Sequence, residues 1–173
     1  TADGANSVIA ADIDGDGDAD VSSSSFNGNS IDWHRNDTIH RSARFPTEGL
    51  ILSWNYNGTD VAAPDVDGDG DADAIVANEN LDTINWFAND GSGQGWTFRT
   101  VAQSMNRPFD IFPSDVDGDG DMDLLSASKG DDRIAWHENT GSAFSYAFNT
   151  ISTNASFANV VIAGDLDGDG DPD

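Results

Sequence analysis

Asp12-Ile13-Asp14-Gly15-Asp16-Gly17-Asp18-Ala19-Asp20 packs five carboxylates into nine residues, and no apolar core could absorb them. The pattern D-x-D-G-D-G-D-x-D returns at Asp65 to Asp73, at Asp115 to Asp123 and at Asp165 to Asp173. At neutral pH such bunched charges repel one another unless something positive sits among them. Asp at loop positions 1, 3 and 5 turns three carboxylates toward a common centre. Gly at position 6 permits the sharp turn, position 7 can offer its carbonyl, and Asp at position 9 closes the shell. Hard oxygen donors in that number suit Ca²⁺, which takes six to eight oxygens in flexible geometry. The expectation is one Ca²⁺ per loop, up to four.

The first six residues also match the opening of an EF-hand, which needs a bidentate Glu at position 12 and a helix on either side. Position 12 is Ser23, Val76 or Ser126, and short stretches rich in small and apolar residues follow the loops (Asp73-Ala-Ile-Val-Ala, Asp123-Leu-Leu-Ser-Ala). The EF-hand fails on both counts. A merely solvated acidic run is the usual reading of clustered charge. Four copies with the same Asp and Gly positions argue against it.

The chain has 173 residues, a net charge of −25 and no cysteine. The loops hold 20 of its 32 acidic residues, so outside them 12 acids face 7 Lys and Arg. Such a surface repels nucleic acid and anionic membranes. No run is long enough to cross a bilayer, so neither nucleic-acid binding nor membrane insertion is expected. No signal peptide stands at residue 1, which is the start expected of a processed or excised segment. Weak calcium modules work where Ca²⁺ is near millimolar, so the expected location is secreted, extracellular or at the cell surface.

Loop starts at 12, 65, 115 and 165 set intervals of 53, 50 and 50 residues. A second landmark keeps the same register: Ile31-Asp-Trp33-His-Arg-Asn36, Ile84-Asn-Trp86-Phe-Ala-Asn89 and Ile134-Ala-Trp136-His-Glu-Asn139 each place Trp 21 residues after the loop's first Asp. This is a structural repeat, with a period in the range of propeller blades. It divides the chain into 1–64 (loop 12–20, irregular insertion 37–60), 65–114, 115–164, and the start of a fourth repeat at 165–173. Val8 to Ala11 and Val160 to Ala163 read as strands leading into a loop. Second strands follow at Ala19 to Ser24, Ala72 to Ala77 and Met122 to Ala127, and third strands carry the Trp landmark. Fourth strands alternate at Trp96-x-Phe98 and Phe144-x-Tyr146-x-Phe148. Repeat one yields no assignable fourth strand. Four strands per repeat without a helical stretch is the anatomy of a propeller blade. The fold class expected is all-β, a partial propeller or an open repeat array.

The loop between two apolar strands, with Ile-x-Trp-x-x-Asn and then Asn-Asp-Gly or Asn-Thr-Gly, resembles the FG-GAP/VCBS repeat over nearly the whole chain. The resemblance implies a β-propeller or propeller-like fold, calcium in each loop and export from the cell. Carried over by position, the metal-site residues are Asp12, Asp14, Asp16, Asp18 (through its carbonyl) and Asp20; Asp65, Asp67, Asp69, Asp71 and Asp73; Asp115, Asp117, Asp119, Asp121 and Asp123; and Asp165, Asp167, Asp169, Asp171 and Asp173. The position-7 side chains, such as that of Asp18, are then free to face solvent. The Phe-Gly and Gly-Ala-Pro flanks of the integrin branch are poorly kept, Ala62-Ala63-Pro64 being the nearest echo.

Evidence for catalysis is thin. His34 and His137 share a repeat position that holds Phe87 in repeat two, which is packing behaviour, and His40 is solitary. Carboxylate pairs abound, but the metal loops claim them, no acid with a raised pKa stands out, and no enzyme activity is expected. Asn36, Asn57 and Asn154 head N-x-S/T triplets and are glycosylation candidates, although so much Asn, Ser and Thr produces such triplets by chance. The expected role is a calcium-stabilised structural or adhesive module that contacts neighbouring repeats, other protomers or a surface protein. Two alternatives stand beside it. One is a glycan-binding propeller, or accessory module of a polysaccharide-active enzyme, using Trp54 or Trp96; the other is an integrin-like head that binds a protein ligand.

Overall fold

A computed structural model describes residues 4–25, 27–36, 47–52, 58–92, 94–141, 145–168, 170 and 172. Every regular element among them is a strand. The first blade contains β1 (Ala5–Ala11), β2 (Asp20–Ser25), β3 (Ser30–Arg35) and β4 (Thr47–Leu52). The second contains β5 (Gly58–Ala62), β6 (Ala74–Asn78), β7 (Thr83–Asn89) and β8 (Trp96–Gln103). The third contains β9 (Pro108–Ser114), β10 (Asp123–Ser128), β11 (Arg133–Asn139) and β12 (Tyr146–Ser152). Each blade is an antiparallel meander whose strands pair in chain order. The fold is therefore all-β and a partial propeller, three blades in an open arrangement, and no helix is long and apolar enough to cross a membrane among the described residues.

Local chemistry accounts for the strand ends. The Asp-Gly loop joins the first and second strands of every blade, and the turn after the second strand is closed by Asn29, Asp82 or Asp132, all with positive φ. Asn and Asp tolerate that region better than other non-glycine residues. A bulge recurs between Ile31 and Asp32, Ile84 and Asn85, and Ile134 and Ala135, so even the irregularities repeat.

The apolar cores lie between blades. Ile13, Ile31, Trp33 and Ile51 of the first blade pack with Val61, Ala74, Val76 and Phe87 of the second. Ile75, Ile84, Trp86 and Ala88 on the opposite face of the second blade pack with Ile111 and Leu124 of the third. A blade with neighbours on both sides buries both faces, which is why β6 and β7 read as almost continuously buried. The period-two alternation that separates Ile84/Trp86 from Asn85/Phe87 sends one set to each neighbour.

Backbone hydrogen bonds and carboxylates staple adjacent inner strands. Asp60 on β5 accepts from the Ile111 N–H on β9 at 3.0 Å and from the Ser7 hydroxyl on β1 at 2.6 Å. Asp110 on β9 accepts from the Val161 N–H at 2.8 Å. Burial, with Asp60 as a lesser cause, pushes the Asp110 carboxyl up to about 6.

Two expectations change. The part of repeat one read as irregular, 37–60, contains β4 and the beginning of β5; residues 37–46 and 53–57, with His40, Trp54 and Asn57, lie outside the described residues. Val160 to Ala163, expected as a strand, joins no sheet. The second strand that would pair with it, equivalent to Asp20–Ser25, has no counterpart within these 173 residues.

Candidate metal centre

Each loop is braced by its last Asp. Asp20, Asp73 and Asp123 are all buried at the start of a second strand. Asp73 accepts from the Val66 N–H at 2.9 Å and from the Asn89 N–H at 2.8 Å, and the Trp86 indole lies beside it. Asp123 repeats this with the Val116 N–H (3.1 Å), the Asn139 N–H (2.7 Å) and the Trp136 indole (3.0 Å). Asp20 takes the Ile13 N–H at 3.2 Å and the Asn36 N–H at 2.6 Å. The Asn side chain then donates to the position-8 carbonyl: Asn36 to Ala19, Asn89 to Ala72 and Asn139 to Met122. This network explains why the Ile-x-Trp-x-x-Asn segment keeps a fixed offset from the loop. One carboxylate ties the turn, the second strand and the third strand together.

The remaining loop geometry is set by glycine and by Asp at position 1. Both loop glycines have positive φ in every repeat, for example +74° at Gly68 and +98° at Gly70, a conformation that other residues adopt only at a cost. Asp65 accepts from the Gly68 and Gly70 N–H groups at 2.8 and 3.0 Å, and Asp115 does the same with Gly118 and Gly120. The result is convergence: Asp12, Asp14 and Asp20, then Asp65, Asp67 and Asp73, then Asp115, Asp117 and Asp123 each place carboxylate oxygens within 4.8 Å of one another. Asp16, Asp69 and Asp119 stand outside these trios. Their oxygens cap the position-7 N–H groups of Asp18, Asp71 and Asp121 at 2.9 to 3.0 Å.

The position-7 side chains have a neighbour of their own. A Cβ on Gly91 would lie 2.4 Å from an Asp71 oxygen, and one on Gly141 would lie 2.5 Å from an Asp121 oxygen. The Asn-Asp-Gly and Asn-Thr-Gly turns thus leave room for the loop. In the fourth repeat Asp165 caps Gly168 and Gly170 in the same way, while Asp169, Asp171 and Asp173 lie outside the described residues.

Electrostatics favour a cation in each trio. Burial raises the carboxyls of Asp14, Asp67 and Asp123, and pushes Asp73 up to about 6. Neighbouring acids add to this at Asp14 (Asp20, Asp16) and at Asp67 (Asp69, Asp65). One buried oxygen of Asp14 has no hydrogen-bond partner, a cost that a bound ion removes. An all-oxygen donor set of this kind fits a hard divalent cation, and the residues present therefore fit calcium. The first loop has an additional feature that sequence reading missed. Arg35 lies 3.1 Å from Asp14 and 3.5 Å from Asp16, where the other repeats have Ala88 and Glu138.

His34 and His137 sit in packed surroundings. His137 is buried, bonded to the Ser126 hydroxyl at 2.9 Å and tilted against Phe148 at 5.4 Å. His34 meets Ser23 at 3.4 Å. In the second blade the same two places hold Val76 and Phe87, with Phe87 against Phe98 at 5.5 Å. Ser–His and Val–Phe are thus alternative fillings of one niche. Burial presses His137 down to about 4. The unfolded chain takes this proton near 6.5, so the group costs stability as pH falls from there toward 4. Importing the second blade's pair, Ser126→Val with His137→Phe, should gain about 2 kcal/mol on wild type between pH 7.5 and pH 5 in urea melts. His137→Phe alone should be poorer than the pair by about 1–2 kcal/mol, because the Ser126 hydroxyl is left buried without a partner. Equal pH slopes for the double variant and wild type would refute the assignment.

Among the glycosylation candidates, Asn36 is buried and its amide donates to the Ala19 carbonyl. Asn154 is exposed. The inner-strand carboxylates Asp60 and Asp110 were also missed, although an Asp five residues before the loop in two repeats was a readable signal.

Comparison with known proteins agrees with this geometry. No curated protein matches the chain. Among solved structures it is similar to an Agrocybe aegerita lectin, described as recognising non-reducing terminal N-acetylglucosamine, with a TM-score of 0.58 and 17% identity. The match covers 87% of this chain and 39% of the lectin, so the chain spans well under half of that protein's length, and at this identity the likeness is one of fold. The model of the FG-GAP-like repeat matches three times, at residues 12–76, 65–125 and 115–173. With loops, braces and blades recurring on that same period, the chain belongs to the FG-GAP-like repeat family.

Proposed function

We propose that this chain is an extracellular, calcium-stabilised repeat module with a structural or adhesive role. The observation that carries the reading is the set of three carboxylate trios at the same turn of three successive blades. In each loop the position 1, 3 and 9 carboxylates would hold the ion. Bound calcium supplies positive charge that offsets their mutual repulsion. Asp73 and its equivalents pass that order into the sheet, since they also hold the third strand. A ligand that binds the fold and not the unfolded chain stabilises it by mass action.

Equilibrium dialysis tests the reading, with at least three Ca²⁺ per chain expected at millimolar calcium. The sites should differ. Arg35 already offsets part of the charge in the first loop, so that site should be the weakest, and Arg35→Ala should tighten it roughly fivefold for about 1 kcal/mol of relieved charge competition. Stoichiometry below one would refute the reading.

A glycan-binding role is the second reading. It draws on the lectin of similar fold and on exposed aromatic rings at Phe98 and Phe148 on the outer strands, beside half-buried Trp96. Aromatic faces stack on sugar rings. A glycan-array signal abolished by Trp96→Ala would favour it, and an array without signal would count against it.

A further inference from the structure

The Asn89 side chain touches two loops at once. Its amide donates to the Ala72 carbonyl of the second loop at 3.0 Å and to the Ile13 carbonyl of the first loop at 2.7 Å, a partner 76 residues away in the chain. Asp73 holds the Asn89 backbone N–H at 2.8 Å, and the Asn89 side-chain oxygen accepts from the Gly91 N–H at 3.2 Å. Ile13 is tied to the first loop in a similar manner. Its N–H donates to Asp20 at 3.2 Å, and its carbonyl belongs to the peptide that leads into Asp14. Asp14 and Asp20 are two of the three converging carboxylates of the first trio, and Asp73 is one of the second. Two buried residues, Asn89 and Ile13, therefore connect one trio to the next.

We propose that Asn89 is a positioning residue that couples the first two metal loops, so that occupation of the second raises the calcium affinity of the first. The proposal rests on the calcium reading above and adds an order of filling to it. Closure of the second trio fixes Asp73, and with it the backbone and the amide of Asn89. The Ile13–Asp14 peptide is then held in its loop conformation before the first trio closes, which leaves less ordering for the first site to impose. An ordering cost shared between two sites is a coupling free energy, and it acts in both directions. The link is stiff, because neither the Asn89 amide nor the Ile13 carbonyl can turn to water without opening the core around it. Arg35 beside Asp14 and Asp16 makes the first loop the weaker site, so the second fills earlier and recruits its neighbour through the bond to Ile13.

The junction between the second and third blades supplies the contrast. Position 2 of the loop packs between blades at both junctions, as Ile13 at one and Val66 at the other. Asn139, the equivalent of Asn89, donates to Met122 of its own loop at 3.4 Å, keeps its N–H on Asp123 at 2.7 Å and accepts from Gly141 at 3.2 Å. Among the described residues its amide reaches no carbonyl of the second loop. Apolar contact is thus common to the two junctions, and the amide bond from loop to loop distinguishes them.

Loop glycines report on each site separately. Gly17, Gly70 and Gly120 donate their N–H groups to the first Asp of their own loops, at 2.9, 3.0 and 3.0 Å. Calcium titration of the full chain labelled with ¹⁵N-glycine therefore yields three midpoints in one NMR experiment. Asp67→Ala, which removes a ligand of the second site, should raise the calcium midpoint of Gly17 by about fivefold or more. Asn89→Ala should raise it as far, and adding Asp67→Ala to Asn89→Ala should move it by less than about twofold further. Asp117→Ala and Asn139→Ala, made in the third blade, should each leave the Gly70 midpoint within about twofold of wild type. The coupling is overturned by a Gly17 midpoint that ignores Asp67→Ala, by one that Asp67→Ala still shifts when residue 89 is alanine, or by Asp117→Ala moving Gly70 as far as Asp67→Ala moves Gly17. The comparison of Asp67→Ala with Asp117→Ala keeps Asn89 in place, so it decides the matter even where Asn89→Ala does not fold. Independent midpoints with calcium still bound would remove the coupling and leave the calcium reading standing, whereas three glycines that do not respond to calcium would remove both.

Discussion

Chelation should lower the melting temperature by about 15 to 30 °C. A site held at one hundred times its Kd contributes about 2.7 kcal/mol, so three sites supply about 8 kcal/mol, and each kcal/mol moves the midpoint of a domain this size by about 2 to 4 °C. Differential scanning fluorimetry in 2 mM calcium and in excess EDTA measures it. The pH response should invert between the two conditions. Without the ion, Asp73 has its folded pKa raised to about 6 by burial. The fold then binds a proton before the unfolded chain does, so stability rises as pH falls through 6 toward the ordinary carboxylate range, and is lost as pH rises. With calcium the proton competes for the same oxygens, and acidification should weaken the fold. His137 acts in the opposite direction to Asp73, so the comparison is best made in the Ser126→Val/His137→Phe background. An EDTA melt that matches the calcium melt would remove the metal from the account of stability.

How much of this could be read without coordinates follows the range of the interactions involved. The loop, its flanking strands and the Trp-bearing third strand are local patterns, so Asp12 to Asp20 and Ile31 to Asn36 disclosed both their form and their register. The corner role of Asp73 needed structure, because its donors stand 7 residues upstream and 16 downstream. Likewise, the Gly of Asn-Asp-Gly reads as an ordinary turn residue until Asp71 is seen beside Gly91. Position 5 is where ligand arithmetic and geometry part. Asp69 spends an oxygen on the Asp71 N–H and stays outside the trio that Asp65, Asp67 and Asp73 form. The strand expected at Val160 to Ala163 failed for a different reason. Its apolar pattern is sound, but a strand exists only when a neighbour completes its ladder.

Asp73→Ala and Asp67→Ala separate the two duties that the loop carboxylates combine. Asp67 is one of three converging groups and is raised by burial and by the charge of Asp69. Its removal takes away a metal ligand but also a source of repulsion. In EDTA, Asp67→Ala should melt within a few degrees of wild type, or slightly above it; in calcium it should lose about 2 to 3 kcal/mol, the contribution of one site. Asp73 differs because it accepts from two backbone N–H groups in a buried corner. Deleting it leaves those donors buried without partners, at about 1 to 3 kcal/mol each. Asp73→Ala should therefore cost about 3 to 5 kcal/mol in EDTA and more in calcium, where the site is lost as well. Asp71→Ala is the control, since its half-buried carboxylate faces Gly91 and stands outside the converging trio. If Asp67→Ala and Asp73→Ala lost the same stability in EDTA, the corner would have no role apart from the ion, and the coupling from loop to third strand would have to run through another residue.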